Sequence, residues 1–209
     1  MAPHPTSQKQ MTAPSDERLV EAFQAGDLAA FDLLLLRWER RIQGTAYRIL
    51  GVEEEARDVS QEAFLKAFRA LRGFKGEARF SSWLYQIALN LCRDRLRRRR
   101  GKAFVSLESL EEEGGHPAPD AGPSPYEQAE RGALLRRVRE ALAALPDEQR
   151  EVIVLKEYEE LTFLEIAQIL DVPLSTVKTR LYRGLVSLRG RLERQGLRGV
   201  AAVAGAAQA

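Results

Sequence analysis

Between Ser175 and Arg183 the chain sets hydroxyls, cations and an aromatic ring in close order: Ser175, Thr176, Lys178, Thr179, Arg180, Tyr182 and Arg183. Such side chains bond to phosphates and read base edges, so the chemistry on offer is recognition of nucleic acid rather than bond making. Val177, Leu181, Leu185 and Leu188 recur among them at helical spacing and predict one helix with a single apolar stripe. A shorter helix comes before it. Thr162 and Glu165 have the spacing of a reciprocal capping box. Phe163, Ile166, Ala167, Ile169 and Leu170 supply its buried face, and Pro173 ends it. Two short helices, the second cationic, make a helix-turn-helix pattern, which is also found in helical bundles that never meet DNA.

Charge is segregated around this motif. Leu174 to Arg198 holds seven Lys or Arg against Glu193 alone, whereas Pro146 to Asp171 holds eight acids against Arg150 and Lys156. A basic helix beside an acidic segment focuses positive potential on one surface, steers phosphate and makes binding salt-dependent. The acidic segment is equally suited to meet a basic protein partner.

Two further constellations lie in the first half. Asp58, Gln61, Glu62 and Leu65 fall at i, i+3, i+4 and i+7, which stacks polar and acidic groups beside an apolar one on one helix face. That face suits a basic protein partner or is an ordinary solvated surface. Phe74, Lys75, Gly76 and Arg79 form a loop with aromatic and cationic groups, leading into a helix that carries Asn90, Arg93, Asp94 and Arg97 and ends in a run of arginines. Stacking faces with backbone charge are what single-stranded nucleic acid requires, and a flipped base needs a pocket between aromatic walls. Phe80, Trp83, Leu84, Ile87 and Leu91 of the same stretch are expected in the core.

The elements that must position these groups are all helical. Leu19, Val20, Ala22 and Phe23 begin a helix that Gly26 breaks. Phe31, Leu34, Leu35, Trp38, Ile42, Ala46, Ile49 and Leu50 give a long second stripe closed by Gly51. A third helix is expected over 53–71, its leading Glu53, Glu54 and Glu55 complementing the helix dipole, and a fourth over 81–100. No stretch alternates with period two, so the fold class is all-α, with two small helical domains joined by a flexible acidic linker. The expected divisions are a disordered stretch at 1–15, a first domain at 16–100, a linker at 101–125, a second domain at 126–198 and a tail at 199–209. The linker expectation rests on four Gly, four Pro and five acids against Lys102.

Composition excludes several function classes. The chain has 209 residues, a net charge of +2 and a hydrophobic content of 44%, enough for proper cores. One cysteine, Cys92, leaves no internal disulfide and no cysteine-based zinc site, and His4 and His116 both lie in Pro-rich polar stretches. No phosphate-cradling Gly loop, Ser-His-Asp set or metal-ligand spacing is present, so no enzyme activity, catalytic residue, metal or cofactor is expected. No run approaches a membrane span, and the first residues lack the apolar stretch of a secretory signal, so a cytoplasmic protein without stable membrane insertion is expected.

Four segments in order, Asp58 to Phe68, Phe80 to Asn90, Leu145 to Val152 and Thr176 to Leu181, resemble the sigma-70 family of bacterial RNA polymerase sigma factors, within it the extracytoplasmic-function subfamily. The resemblance spans nearly everything except the linker and termini. It implies a region 2 bundle and a region 4 helix-turn-helix without an autoinhibitory extension or a middle domain. It further implies that Asp58, Gln61, Glu62, Phe64 and Leu65 dock on core polymerase. Phe74, Lys75, Arg79, Asn90, Arg93, Asp94 and Arg97 would hold the melted −10 element. Ser175, Thr176, Lys178, Thr179, Arg180, Tyr182 and Arg183 would bind the −35 duplex. The partners so implied are core RNA polymerase, promoter DNA and an anti-sigma factor. Many relatives have Gly where Asp171 and Ser175 stand and Ala where Gly184 stands, and Gly in a helix costs about 1 kcal/mol relative to Ala. The second helix-turn-helix reading is a stand-alone LuxR-type regulator, which would need a receiver or ligand-binding first domain.

Overall fold

A computed structural model describes residues 13–103 and 125–197. The expected N-terminal stretch, most of the linker and the tail lie outside the described residues. Eight α-helices follow in order: α1 (Asp16–Gln24), α2 (Ala29–Leu50), α3 (Glu53–Leu71), α4 (Phe80–Ala103), α5 (Pro125–Ala143), α6 (Asp147–Ile153), α7 (Phe163–Leu170) and α8 (Leu174–Arg194). No strand occurs among the described residues.

Local chemistry sets the helix ends. Ser15 caps α1 by accepting from the Arg18 N–H at 3.3 Å. Gly51 ends α2 at φ 77°, a left-handed conformation that glycine adopts without steric cost. Three glutamates occupy the first turn of α3, where the helix dipole favours negative charge. Two limits differ from expectation. Helix α4 runs through Gly101 to Ala103 rather than stopping at Arg100, because a lone glycine lowers helix propensity without breaking the hydrogen-bond ladder. It also begins one residue earlier, at Phe80.

Helices α1 to α4 pack around Leu34, Ile42, Ala46, Val59, Leu71, Leu84 and Leu89, all buried. Ala56, Ala63 and Ala67 present small side chains to the interior of α3 and let it approach its neighbours closely. Phe31 and Phe68 meet edge to face at 5.0 Å and join α2 to α3. In the second half α6 and α8 cross, and Val152, Ile153, Ile166, Val177 and Leu181 fill the space between α6, α7 and α8.

The two halves share one hydrophobic core. After Ile153 the α6 helix widens into a π-helical turn, Val154–Tyr158, whose added residue rotates the chain that follows. It ends at Glu159, which is only 5% exposed and points into the first half. One oxygen of Glu159 accepts from Thr45 Oγ1 at 2.7 Å, and the other from the Tyr85 hydroxyl at 2.6 Å and Arg41 Nε at 3.2 Å. Burial, and then the Glu159 hydrogen bond, push the Tyr85 phenol well above its ordinary pKa. Arg150 makes the second tie. Its guanidinium donates to the carbonyls of Leu142, Ala143 and Leu145 at the end of α5, and to Ile49 O of α2 at 2.6 Å. One cation thereby satisfies carbonyls at the C-termini of two helices, one from each half.

Candidate nucleic-acid interface

Helix α8 is presented by the turn before it. Thr162 Oγ1 accepts from the Glu165 N–H at 3.2 Å while Glu165 accepts from the Thr162 N–H at 2.9 Å, completing the capping box. The Thr162 hydroxyl also donates to Glu165 Oε2 at 2.7 Å, and this bond first, then the one from the Thr162 N–H, holds the Glu165 carboxyl below its ordinary pKa. Asp171 ends α7 at φ 53°, and Asp tolerates this left-handed position better than most residues, which accounts for its presence where Gly is common. Val177 and Leu181 then turn inward, and Ser175, Lys178, Thr179, Tyr182 and Arg183 face outward, Tyr182 at 67% exposure. Thr176 and Arg180 are half-buried at the edge, where Arg180 pairs with Glu148 at 3.0 Å. A groove of about 310 Å³ runs between them and α6, lined by Glu148, Gln149, Ser175, Thr179, Arg180 and Arg183. Gly184 is buried against α6: a Cβ there would lie 2.9 Å from Ile153 Cδ1 and 3.2 Å from Gln149 Cβ. The glycine marks a close helix crossing, a reason for it that helix propensity alone does not give.

The loop before α4 is equally fixed. Gln24 of α1 donates to Leu71 O at 3.0 Å and to Phe74 O at 2.8 Å, and Gly76 takes φ 71°. Phe74 is half-buried and stacks on Trp83 with ring centroids 4.9 Å apart. A cavity of about 290 Å³ opens beside it, lined by Glu21, Gln24, Phe74, Lys75, Gly76 and Ala78. Of the five residues expected in the core here, Phe80, Leu84 and Leu91 are buried, and Trp83 and Ile87 are half-buried. Lys75 and Asn90 are exposed.

Four arginines of this surface are engaged within the chain. Arg93 forms a two-pronged pair with Glu151 of α6, at 2.8 and 2.6 Å, and donates to Asn90 at 3.2 Å. The Glu151 hydrogen bonds raise the Arg93 pKa further, against the opposing effect of burial. Arg79 pairs with Glu165 at 2.9 Å, Arg100 with Asp147 at 2.5 Å, and Arg97 with Asp94 on its own helix. Sequence reasoning missed Asp147, Glu151 and Glu165 as partners of these groups; the acidic run was visible, but not what it would face.

On α3, Asp58, Gln61 and Leu65 are exposed, Leu65 at 56%, and Arg95 of α4 reaches Asp58 at 3.5 Å and Glu62 at 3.4 Å. Phe64 departs from expectation: it is 5% exposed and part of the core. Six residues after Asp58 it lies about 240° round the helix, at 3.6 residues per turn, so it shares the inward face with Ser60, Ala63 and Ala67. Cys92 is buried, and its thiol is pushed up to about 12, chiefly by desolvation. Among the described residues no group of three or more His, Cys, Asp or Glu is placed to hold a metal ion, and no helix is long and apolar enough to cross a membrane.

Residues 34–102 match the family Sigma-70 region 2, and residues 135–188 match Sigma-70, region 4. The RNA polymerase sigma-H factor of Pseudomonas aeruginosa is 38% identical over 83% of this chain and 91% of its own length. The ECF RNA polymerase sigma factor SigW of Bacillus subtilis is 35% identical over 84% and 96%. The ECF RNA polymerase sigma-E factor of Escherichia coli is 33% identical over 86% and 95%. Among solved structures, CnrH in complex with the cytosolic domain of CnrY superposes with a TM-score of 0.66 at 26% identity, covering 87% of this chain and 99% of that one. The sigma factor RpoE of Bartonella quintana, in complex with the anti-sigma factor NepR, shares the fold with a TM-score of 0.64 at 24% identity, covering 78% and 96%. A stand-alone LuxR-type regulator is not favoured, because the first half matches sigma region 2 rather than a receiver or ligand-binding domain.

Proposed function

Because the chain belongs to the extracytoplasmic-function sigma factors of the sigma-70 family, non-enzymatic proteins that direct promoter-specific transcription initiation, we propose that its two halves divide promoter recognition between them. Residues 16–100 hold the −10 element as a single strand, and residues 126–198 hold the −35 element as duplex. The observation that carries this division is the contrast in surface chemistry. The first half offers a loop with an aromatic ring beside a cavity and a row of arginines, suited to an unpaired base and its backbone. The second offers a solvent-facing helix of hydroxyls and cations, suited to a major groove.

Within the first half, Phe74 and Lys75 border the base-sized cavity, while Arg79, Asn90, Arg93, Asp94 and Arg97 line the path of the strand. Within the second, Ser175, Lys178, Thr179, Tyr182 and Arg183 are the outward groups of α8, with Thr176 and Arg180 at its edge. Asp58, Gln61, Glu62 and Leu65 form the face for core RNA polymerase, with Leu65 and Phe68 giving it an apolar centre. Phe64 supports that face from beneath. One structural neighbour, the sigma factor RpoE of Bartonella quintana, is described in complex with the anti-sigma factor NepR, which motivates an anti-sigma partner here. A cytoplasmic location follows from the reading, because polymerase and promoter are there.

Transcription in vitro with core polymerase, on a library of promoter fragments, tests the function. Initiation that depends on this protein, from fragments sharing −35 and −10 motifs, is the expected result; DNA binding without core-dependent initiation would overturn it. Glu62→Lys tests the docking face: it should lower affinity for core without lowering the melting temperature, and undiminished co-purification would remove Glu62 from the face.

A further inference from the structure

Lys178 stands apart from its polar neighbours on α8. The Thr179 hydroxyl donates to Ser175 O at 2.9 Å and Arg180 pairs with Glu148 at 3.0 Å, whereas among the described residues no carboxylate lies within ion-pair distance of Lys178. Its ammonium lies instead 5.8 Å from the ring centroid of Phe163, the first residue of α7. That separation is within the range of a cation–π contact, in which the negative face of the ring attracts the charge.

The ring is itself fixed. Thr162 and Glu165 close the capping box around it, and Phe163 is half-buried and packed against the core. A second ammonium, that of Lys156, lies 4.9 Å from the same centroid and donates to Leu161 O at 3.2 Å. Closer approach of Lys178 to the ring brings two like charges together. Its head is thus held between attraction to the ring and repulsion from Lys156.

Confinement changes what a lysine can recognise. An exposed lysine is a point charge on a flexible stem and meets any phosphate in reach, while base reading needs the charge in one place. Lys178 lies in the first two turns of α8, and the N-terminal residues of a recognition helix are those that meet base edges. Guanine offers a lysine two acceptors there, O6 and N7.

We propose that Phe163 is a positioning residue for reading the −35 duplex: its ring holds the Lys178 ammonium for O6 and N7 of one guanine in the major groove. This rests on the assignment of Lys178 to the −35 element.

Full-length protein assembled with core RNA polymerase is the material for the test, on barcoded promoter fragments in which the −35 element is randomised. Sequencing the transcripts reads the base preference at each position. Lys178→Ala should remove a guanine preference at one position, which locates the base that Lys178 reads. Phe163→Leu, which keeps an apolar side chain but no π face, should lower that same preference roughly threefold, the change expected from losing a cation–π contact at an exposed site. Phe163→Tyr keeps the ring and should keep the preference. In the Lys178→Ala background Phe163→Leu should add nothing at that position. Phe163→Met takes its place if Phe163→Leu does not fold. Equal losses at all −35 positions, a loss from Phe163→Tyr as large as from Phe163→Leu, or a loss that persists without Lys178 would overturn the proposal, since the ring would then serve packing alone. A preference removed by Lys178→Ala and untouched by Phe163→Leu would overturn it while leaving Lys178 at the −35 element. If Lys178→Ala removes no preference, both the proposal and that assignment fall.

Discussion

Helices α4 and α8 are both long and rich in arginine, yet their cations are in opposite states. On α4, Arg93, Arg95, Arg97, Arg99 and Arg100 each lie within ion-pair distance of a carboxylate. On the DNA-facing part of α8 only Arg180 does, and among the described residues no carboxylate is within that distance of Lys178 or Arg183. The difference follows from what each helix packs against. Helix α4 packs on α3, with Glu55, Asp58 and Glu62, and its arginines also reach Asp147 and Glu151 of α6, whereas α8 covers α6 with its apolar side and turns the other to solvent. Net charge along a helix therefore says little about whether its cations are free to meet phosphate; the neighbouring helix decides.

The contrast is most easily broken at Arg150, the tie common to both halves. Arg150→Ala should cost about 3 kcal/mol in chemical denaturation, since it strands several buried carbonyls that a charged donor had satisfied. A loss under 1 kcal/mol would show that water replaces the guanidinium. Next in size is Gly184→Val, which pushes α8 away from Ile153 and Gln149 without touching α4. It should cost about 2 kcal/mol as an overpacked crossing and weaken −35 duplex binding, with single-strand binding unchanged. Gly184→Ala should cost less, since the gain in helix propensity offsets part of the clash.

The smallest expected effect is that of pH at Glu165. Its folded pKa lies below the ordinary 4.5, so the stability it contributes is fully present above that value and is lost as pH falls through the lowered one. Glu165→Gln should therefore lower stability near neutrality by about 0.5 to 1 kcal/mol, as loss of a cap does, and flatten the acid limb of the melting profile. An unchanged acid limb would assign that limb to other carboxylates.

Much of this was legible in the sequence because it is local. Thr162 and Glu165, Gly51, and the glutamates opening α3 are helix-end chemistry settled within a few residues, and the stripe from Phe31 to Leu50 fixes its own buried face. Phe64 was legible too: its angular position places it inward, against its assignment to the docking face. What stayed hidden depends on partners far along the chain. Glu159 meets Thr45 across 114 residues, and Arg150 meets Ile49 across 101. Nothing in a run of acids reveals that it will face the arginines of another helix, and the π-turn that aims Glu159 has no signature in residue order. Gly184 read as a weakness in α8 until the close crossing with α6 supplied its reason.

Initiation by polymerase carrying Arg93→Ala or Arg180→Ala, on paired promoter templates with and without the −35 element, tests the division of labour most directly. Arg180→Ala should reduce initiation only where the −35 element is present, by the equivalent of about 1 to 3 kcal/mol, and Arg93→Ala should reduce it on both templates. Equal losses from both variants on both templates would contradict the assignment of one DNA element to each half.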